Sequence, residues 1–267
     1  MKRNTMRDYL RLLGTFFRVS LLGELAYRAN FWLQAIESLI ELGTALALVS
    51  VVFTYTQSLN GWHASELLIL IGTYFLIGGA INMIITPGMS RLIEQVRLGT
   101  LDYLLTKPEE AQLLVSIQRL DLWKLLDLLF GLALLVAAAS WHGSWPSPLQ
   151  ILAFALTLLA GAIIVYSFVL FLATLSFWYV RVENILVIFE SMYEAGRWPV
   201  DIYPGWLRAT LTFIVPVAFA VTVPAEALTA RLTWLALLGT LALAALALLV
   251  TRLFWRFAVR HYSGASS

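Results

Sequence analysis

Long apolar stretches dominate the chain, and polar residues collect in the short intervals between them. The runs at about 30–56, 67–85, 120–140, 149–179 and 232–254 are each long enough for a helix across a bilayer, which takes about 20 residues at 1.5 Å each. The second run closes on Thr86-Pro87-Gly88, where proline and glycine favour a break in the helix. Trp145-Pro146-Ser147-Pro148 predicts a turn leading into the fourth. Between Arg181 and Arg231 lie two further candidates, Asn184–Gly196 and Gly205–Val223. Only one of them can be a full crossing if both chain ends lie on the same side. On hydropathy alone the second is the better span, with Pro216 kinking it.

Ahead of the first run, residues 5–28 follow a different pattern. At 100° per residue Arg7, Arg11 and Arg18 fall within an arc of about 40°, while Leu13, Phe16 and Phe17 point to the other side. Such a helix lies on a membrane surface or packs, solvated, on protein. The chain thus reads as all-α and polytopic, with six transmembrane helices, an N-terminal interfacial helix over 1–29, a membrane body over 30–256 and a tail over 257–267.

Composition agrees with this reading. Apolar residues make up 60% of the 267, charged ones 13%, and the mean hydropathy is +0.82, well above the apolar content of soluble domains. Six spans and their connections leave no room for a large soluble domain, so any energy-converting domain belongs on another chain. There is no cysteine, which removes disulfides, thiolate metal sites and cysteine nucleophiles.

The basic residues set the orientation. Lys2, Arg3, Arg7, Arg11, Arg18 and Arg28 precede the first run. Arg91, Arg97, Lys107, Arg119 and Lys124 surround the central loop, and Arg252, Arg256 and Arg260 follow the last run. The connections 57–66 and 141–150 carry neither lysine nor arginine. Positively charged loops stay inside, so both termini and the loop at 91–119 are expected in the cytoplasm. Trp32, Trp62, Trp123, Trp141, Trp145, Trp178, Trp234 and Trp255 lie near predicted span ends, as an aromatic belt requires.

The central loop carries the most specific pattern, Arg97-Leu98-Gly99-Thr100-Leu101-Asp102-Tyr103-Leu104-Leu105-Thr106-Lys107-Pro108. It resembles the cytoplasmic loop of ATP-binding cassette (ABC) type-2 exporter permeases, particularly small bacterial six-span subunits. Trp198-Pro199-Val200-Asp201-Ile202-Tyr203-Pro204 and the stretch from Val215-Pro216 to Val223-Pro224 resemble the external segment that follows the fifth span in that family, dips into the bilayer and returns. The resemblance implies an external re-entrant segment at 198–230, with Asn184–Gly196 as the fifth span. It further implies a bacterial inner-membrane permease that pairs with itself or a paralogous permease and works with cytoplasmic ABC ATPase subunits. ATP and magnesium would bind those subunits, this chain holding no cofactor of its own, and no nucleic acid partner is expected. ATPase coupling would fall to Glu94, Arg97, Gly99, Leu101, Asp102, Leu104, Leu105 and Lys107. Gly99 would redirect a helix, the three leucines would supply an apolar plug, and the charged residues would fix its orientation.

Catalytic chemistry is sparse. No G-x-x-x-x-G-K-[ST] phosphate loop is present, so the chain is not expected to hydrolyse ATP. His63, His142 and His261 fall in loops or the tail, too far apart in sequence to suggest a metal site. Glu109-Glu110 reads as a solvated helix start, and Asp121, Lys124 and Asp127 as ion pairing along one helical face. More unusual are Glu37 and Glu41 in the first span and Glu183, Glu190 and Glu194 in the fifth segment. Charges inside a bilayer cost about 2.5–3.5 kcal/mol even on permissive scales, so they face protein or water. Glu183, Glu190 and Glu194 share one face over about 16 Å. They would line a substrate pathway, or form a subunit contact paired with Arg181, Arg197 or another chain. An ion-coupled secondary carrier built on these glutamates is the rival functional reading. Such carriers commonly show internal repeats, which the two halves here lack.

Overall fold

A computed structural model describes residues 14–23, 28–107, 110–141, 143, 145–179 and 183–262, the side chains of 28–30 and 183 excepted. Among these, every regular element is helical. Residues 14–23 form α1, followed by α2 (Arg28–Tyr55), α3 (Ala64–Ala80) and α4 (Thr86–Arg97). The short helices α5 (Asp102–Leu105) and α6 (Ala111–Ile117) lead to α7 (Leu125–Trp141), α8 (Pro148–Thr174) and α9 (Glu183–Tyr193). The chain closes with α10 (Gly205–Ala209), α11 (Val223–Leu228) and α12 (Trp234–His261). Among the described residues five helices are long and apolar enough to cross a membrane, or six if the bent pair Gly205–Ile214 and Ala218–Leu228 counts as one.

The break expected at Thr86-Pro87-Gly88 does not occur. α3 runs through one π turn, Ile81–Ile85, straight into α4, giving a single helix of 34 residues from Ala64 to Arg97. A proline inside a helix strands the carbonyl four residues earlier. Here that carbonyl, on Met83, accepts the backbone N–H of Asp121 at 3.0 Å, so the bond lost within the helix is replaced from outside it.

This long helix is the centre of the body. It packs most closely on α7, where a Cβ on Gly131 would lie 2.5 Å from the Leu76 backbone nitrogen and 2.7 Å from the Gly72 carbonyl. Only glycine permits that approach, and in a bilayer such close contact supplies much of the attraction between helices. On the other side α8 carries α12, with Thr251 Oγ1 donating to the Ser167 carbonyl at 3.1 Å. By contrast α2 is attached along a narrow strip, centred on buried Ser38, Ala45 and Val49. The last helix extends past the predicted limit of 254 to His261.

The region 183–230 resolves the two competing candidates in a particular way. α9 and the 3-10 turn Glu194–Arg197 together span about 24 Å, short of the roughly 30 Å apolar layer. The Trp198–Tyr203 stretch, with a 3-10 turn at Val200–Ile202, then carries the chain to the turn at Leu59–Trp62, where Asn60 Nδ2 donates to the Asp201 carbonyl at 3.0 Å. Next comes the pair of segments bent by 78°. Its apex lies deep, with Phe219 packed on Ala160 and Ile164 near the middle of α8. Its far limb returns to the same turn, because Arg231 Nη2 donates to the Gly61 carbonyl at 2.5 Å. The bent pair as a whole therefore begins and ends on one side of the molecule.

Of the amphipathic segment predicted at 5–28, residues 5–13 and 24–27 lie outside the described residues. Within α1, Phe16 packs against the core and Ser20 Oγ accepts the Leu120 N–H at 3.3 Å, while Phe17, Arg18 and Leu22 point outward.

Candidate functional site

The long helix ends in a tight elbow. Thr100 N–H bonds back to Gln95 at 2.9 Å and Gly99 N–H to Val96 at 3.2 Å, the pair of bonds that closes a Schellman motif. That motif needs a left-handed residue, supplied by Gly99 at φ +66°. The chain then turns under itself into α5. Leu101 is fully buried, Leu104 is 6% exposed and Leu105 is half-buried. The apolar plug expected of these three leucines is corrected accordingly: they anchor the elbow to its own body. The side chains that point away are Leu98, 58% exposed, and Tyr103, 78% exposed, with Lys107 beside them and Asp102 partly covered. Pro108 and Glu109 lie outside the described residues.

Below the elbow, α6 is held to α8 by a buried polar node. Tyr166 OH lies 2.9 Å from Ser116 Oγ and accepts from Gln112 Nε2 at 3.2 Å. Glu110 opens α6 and pairs with Arg252 of α12 at 2.8 Å, so it is tied down as well as solvated. Lys124 and Asp127 pair at 3.0 Å, whereas Asp121 pairs with Arg119 at 3.4 Å.

Two groups of residues distant in sequence converge beside the elbow. Glu94 and Arg97 of α4 and Glu190 of α9 line one open cleft of about 380 Å³, with Arg91 and Arg119 on its rim. Arg91 and Glu94 form an ion pair at 2.6 Å. Ile93 and Leu186, both buried, are its apolar lining.

The carboxylates expected to act together divide into two sets. Glu190 is exposed on the outward face of α9, Glu194 is exposed in the 3-10 turn that follows it, and Glu37 is exposed on α2. Glu183 begins α9, its side chain outside the described residues, as is Arg181. Glu41 instead pairs with Arg197 at 2.6 Å. Tyr74 OH donates towards Glu41 at 3.5 Å, and Arg197 sits over the Tyr74 ring at 5.3 Å. Tyr193 stacks on Tyr74 at 5.0 Å and donates to its carbonyl at 3.0 Å. Sequence reasoning passed over both tyrosines. Their signal was a lone phenol in each of two apolar segments, where a hydroxyl needs a partner.

A second cluster that sequence reasoning missed closes the opposite end. Glu66 accepts from Arg231 Nε at 3.0 Å and Nη2 at 2.7 Å and caps α3 through the His63 N–H at 2.7 Å. Arg231 also lies 4.7 Å above the Trp62 ring. No group of side chains able to hold a metal ion occurs among the described residues.

No curated protein and no solved structure matches the chain. A family description, ABC-2 family transporter protein, matches residues 39–266, a range that takes in the later part of α2, the elbow, the cleft and the bent pair. Helices that cross a membrane and a match over most of the sequence agree: this membrane-spanning transport component belongs to the ABC-2 family of transporter proteins.

Proposed function

We propose that the chain is the permease of an exporter in the bacterial cell membrane, driven by ATP hydrolysis on separate cytoplasmic ABC ATPase subunits. The elbow is the observation that carries this reading. The 34-residue helix is about 51 Å long, some 20 Å longer than the apolar layer, so its Arg97 end projects from the membrane. Basic residues concentrate at this end, which supports its placement in the cytoplasm together with both termini. There Leu98 and Tyr103 form an outward apolar contact, while Leu101 and Leu104 fasten the elbow to the bundle. A push received outside is passed to the spans.

The bare, carboxylate-bearing faces of α2 and α9 support a second permease, identical or paralogous, packed against them. Glu37, Glu190 and Glu194 would then face the joint between two copies rather than lipid, giving a hydrated route its polar wall. ATP and magnesium would act on the ATPase pair, whose closure biases the permeases between inward- and outward-open states. Under this reading the bent 198–230 segment is external and covers the far end of the route.

Copurification tests this. The full chain, coexpressed with a candidate ABC ATPase subunit, is expected to elute with that subunit and to alter its vanadate-sensitive hydrolysis. A stable permease that neither binds the ATPase nor changes its turnover overturns the proposal.

A further inference from the structure

We infer that the cleft between α4 and α9 binds the phosphate-bearing headgroup of a membrane amphiphile taken from the cytoplasmic leaflet. This rests on the reading that the Arg97 end faces the cytoplasm, and it deepens that reading by naming the class of ligand.

Arg91, Arg97 and Arg119 converge on the cleft from two separate elements, with the Thr86 and Ser90 side chains beside them. Guanidinium groups and hydroxyls around one concavity match the oxygens of a phosphate ester, which accepts paired, charge-assisted hydrogen bonds. The volume of about 380 Å³ is at the lower end of small-ligand sites, enough for a headgroup and too small for a whole lipid.

The existing ion pairs leave the rim available. Arg91 and Glu94 are paired at 2.6 Å, yet both side chains remain more than 40% exposed. Arg119 reaches Asp121 only at 3.4 Å and is 59% exposed, a weak contact that a phosphate can replace or share. Glu190 stands on the α9 wall and disfavours an anion there, which confines the phosphate to the arginine side.

The apolar part of the ligand also has a place. Val187 lines the cleft and, with Ile188, is more than half exposed. The two residues continue the outward face of α9 beside the cleft, so the apolar part of the ligand would lie at the edge of the joint with the second permease. Trp123 and Lys124, in the 3-10 turn that leads from Arg119 into α7, are of the residue types that favour a membrane boundary. A charged rim beside an apolar wall at that level fits a molecule with one end in water and the other in lipid.

The full chain in nanodiscs of phosphatidylcholine with a minor fraction of phosphatidic acid provides the test, read by native mass spectrometry of the retained lipid. Phosphatidic acid is expected to be retained over phosphatidylcholine by about tenfold. The preference should vanish in Arg91→Gln/Arg119→Gln, survive in part in Arg119→Lys, and persist in Arg260→Gln, which removes a basic residue of α12. Displacement by equimolar glycerol phosphate would keep the phosphate site but remove its lipid source. Equal retention of both lipids, or equal loss in the Arg260→Gln control, overturns the site. Labelling of a cysteine at Ser90 by an impermeant reagent, in sealed vesicles of known orientation, separates the two claims. Reaction from the external side would refute the orientation whatever lipid is bound.

Discussion

Arg197 Nη2 lies 2.6 Å from Glu41 Oε1, joining the 3-10 turn after α9 to α2 between residues 156 positions apart. The contact is the main polar tie of a helix that is otherwise thinly attached. Both side chains are about one quarter exposed, which places the pair between a surface ion pair and a fully buried one.

Glu41→Gln is expected to destabilise the protein by about 1–3 kcal/mol, because Arg197 keeps its charge and loses its partner. Glu41→Gln/Arg197→Gln should recover part of that loss. Thermal unfolding of the detergent-solubilised protein measures both. Equal stability of wild type and Glu41→Gln would show that the pair does not hold α2.

At the elbow, burial separates two adjacent apolar residues. Leu104→Asp should cost about 3 kcal/mol or more, since it places a charge in the core, and should be seen as poor yield or aggregation. Tyr103→Asp should fold normally but weaken association with the ATPase by at least about tenfold. Size-exclusion profiles and a pull-down distinguish the two. Normal binding by a folded Tyr103→Asp variant would remove Tyr103 from the contact.

Orientation can be read with single cysteines, because the chain has none of its own. Ser58 and Ala230 are exposed near the Glu66 end and Thr106 is exposed near the elbow. Ser116 and Thr229 are buried and would report poorly. Ser58→Cys and Ala230→Cys should react with an impermeant maleimide on intact cells, whereas Thr106→Cys should react only after permeabilisation. Labelling of Thr106→Cys on intact cells reverses the topology.

Gly131→Ala places a methyl group 2.5 Å from the Leu76 backbone and should force α3 and α7 apart at a cost of about 1–3 kcal/mol. A lowered unfolding temperature is expected, with Gly143→Ala as an unsuitable control because that glycine has φ +82°. Gly239→Ala, whose added Cβ meets nothing within 4 Å, is the suitable one. Equal unfolding temperatures for the two variants would contradict the close crossing.

The long apolar helices were legible because their hydropathy is strong and local. Pro87 misled, since a proline predicts a stranded carbonyl but the sequence does not show that Asp121, distant along the chain, will satisfy it. The elbow was legible as a position and not as an orientation. Leu98, Leu101, Leu104 and Leu105 are equally apolar, and four residues of helix are too few for periodicity to show which side meets the body. Glu41 was recognisable as a costly charge needing a partner, while Arg197 stood among the candidates for Glu183, Glu190 and Glu194 only. Its assignment to Glu41, and the roles of Tyr74 and Tyr193, depend on a three-dimensional meeting of separate spans. Glu66 and Arg231 escaped notice for the same reason, each looking ordinary at the end of an apolar run.

The crossing at Gly131 gives the long helix a fulcrum that is off centre. From Leu76 to Arg97 the rod is about 32 Å long, and from Leu76 back to Glu66 about 15 Å. Rotated about that point, it is a lever with a mechanical advantage of about two. Displacement at the elbow would then arrive at the Glu66–Arg231 contact roughly halved, and force would arrive roughly doubled. A short, strong pull suits that far end, where a bidentate ion pair needs to lengthen by only an ångström or two before its hydrogen bonds are lost.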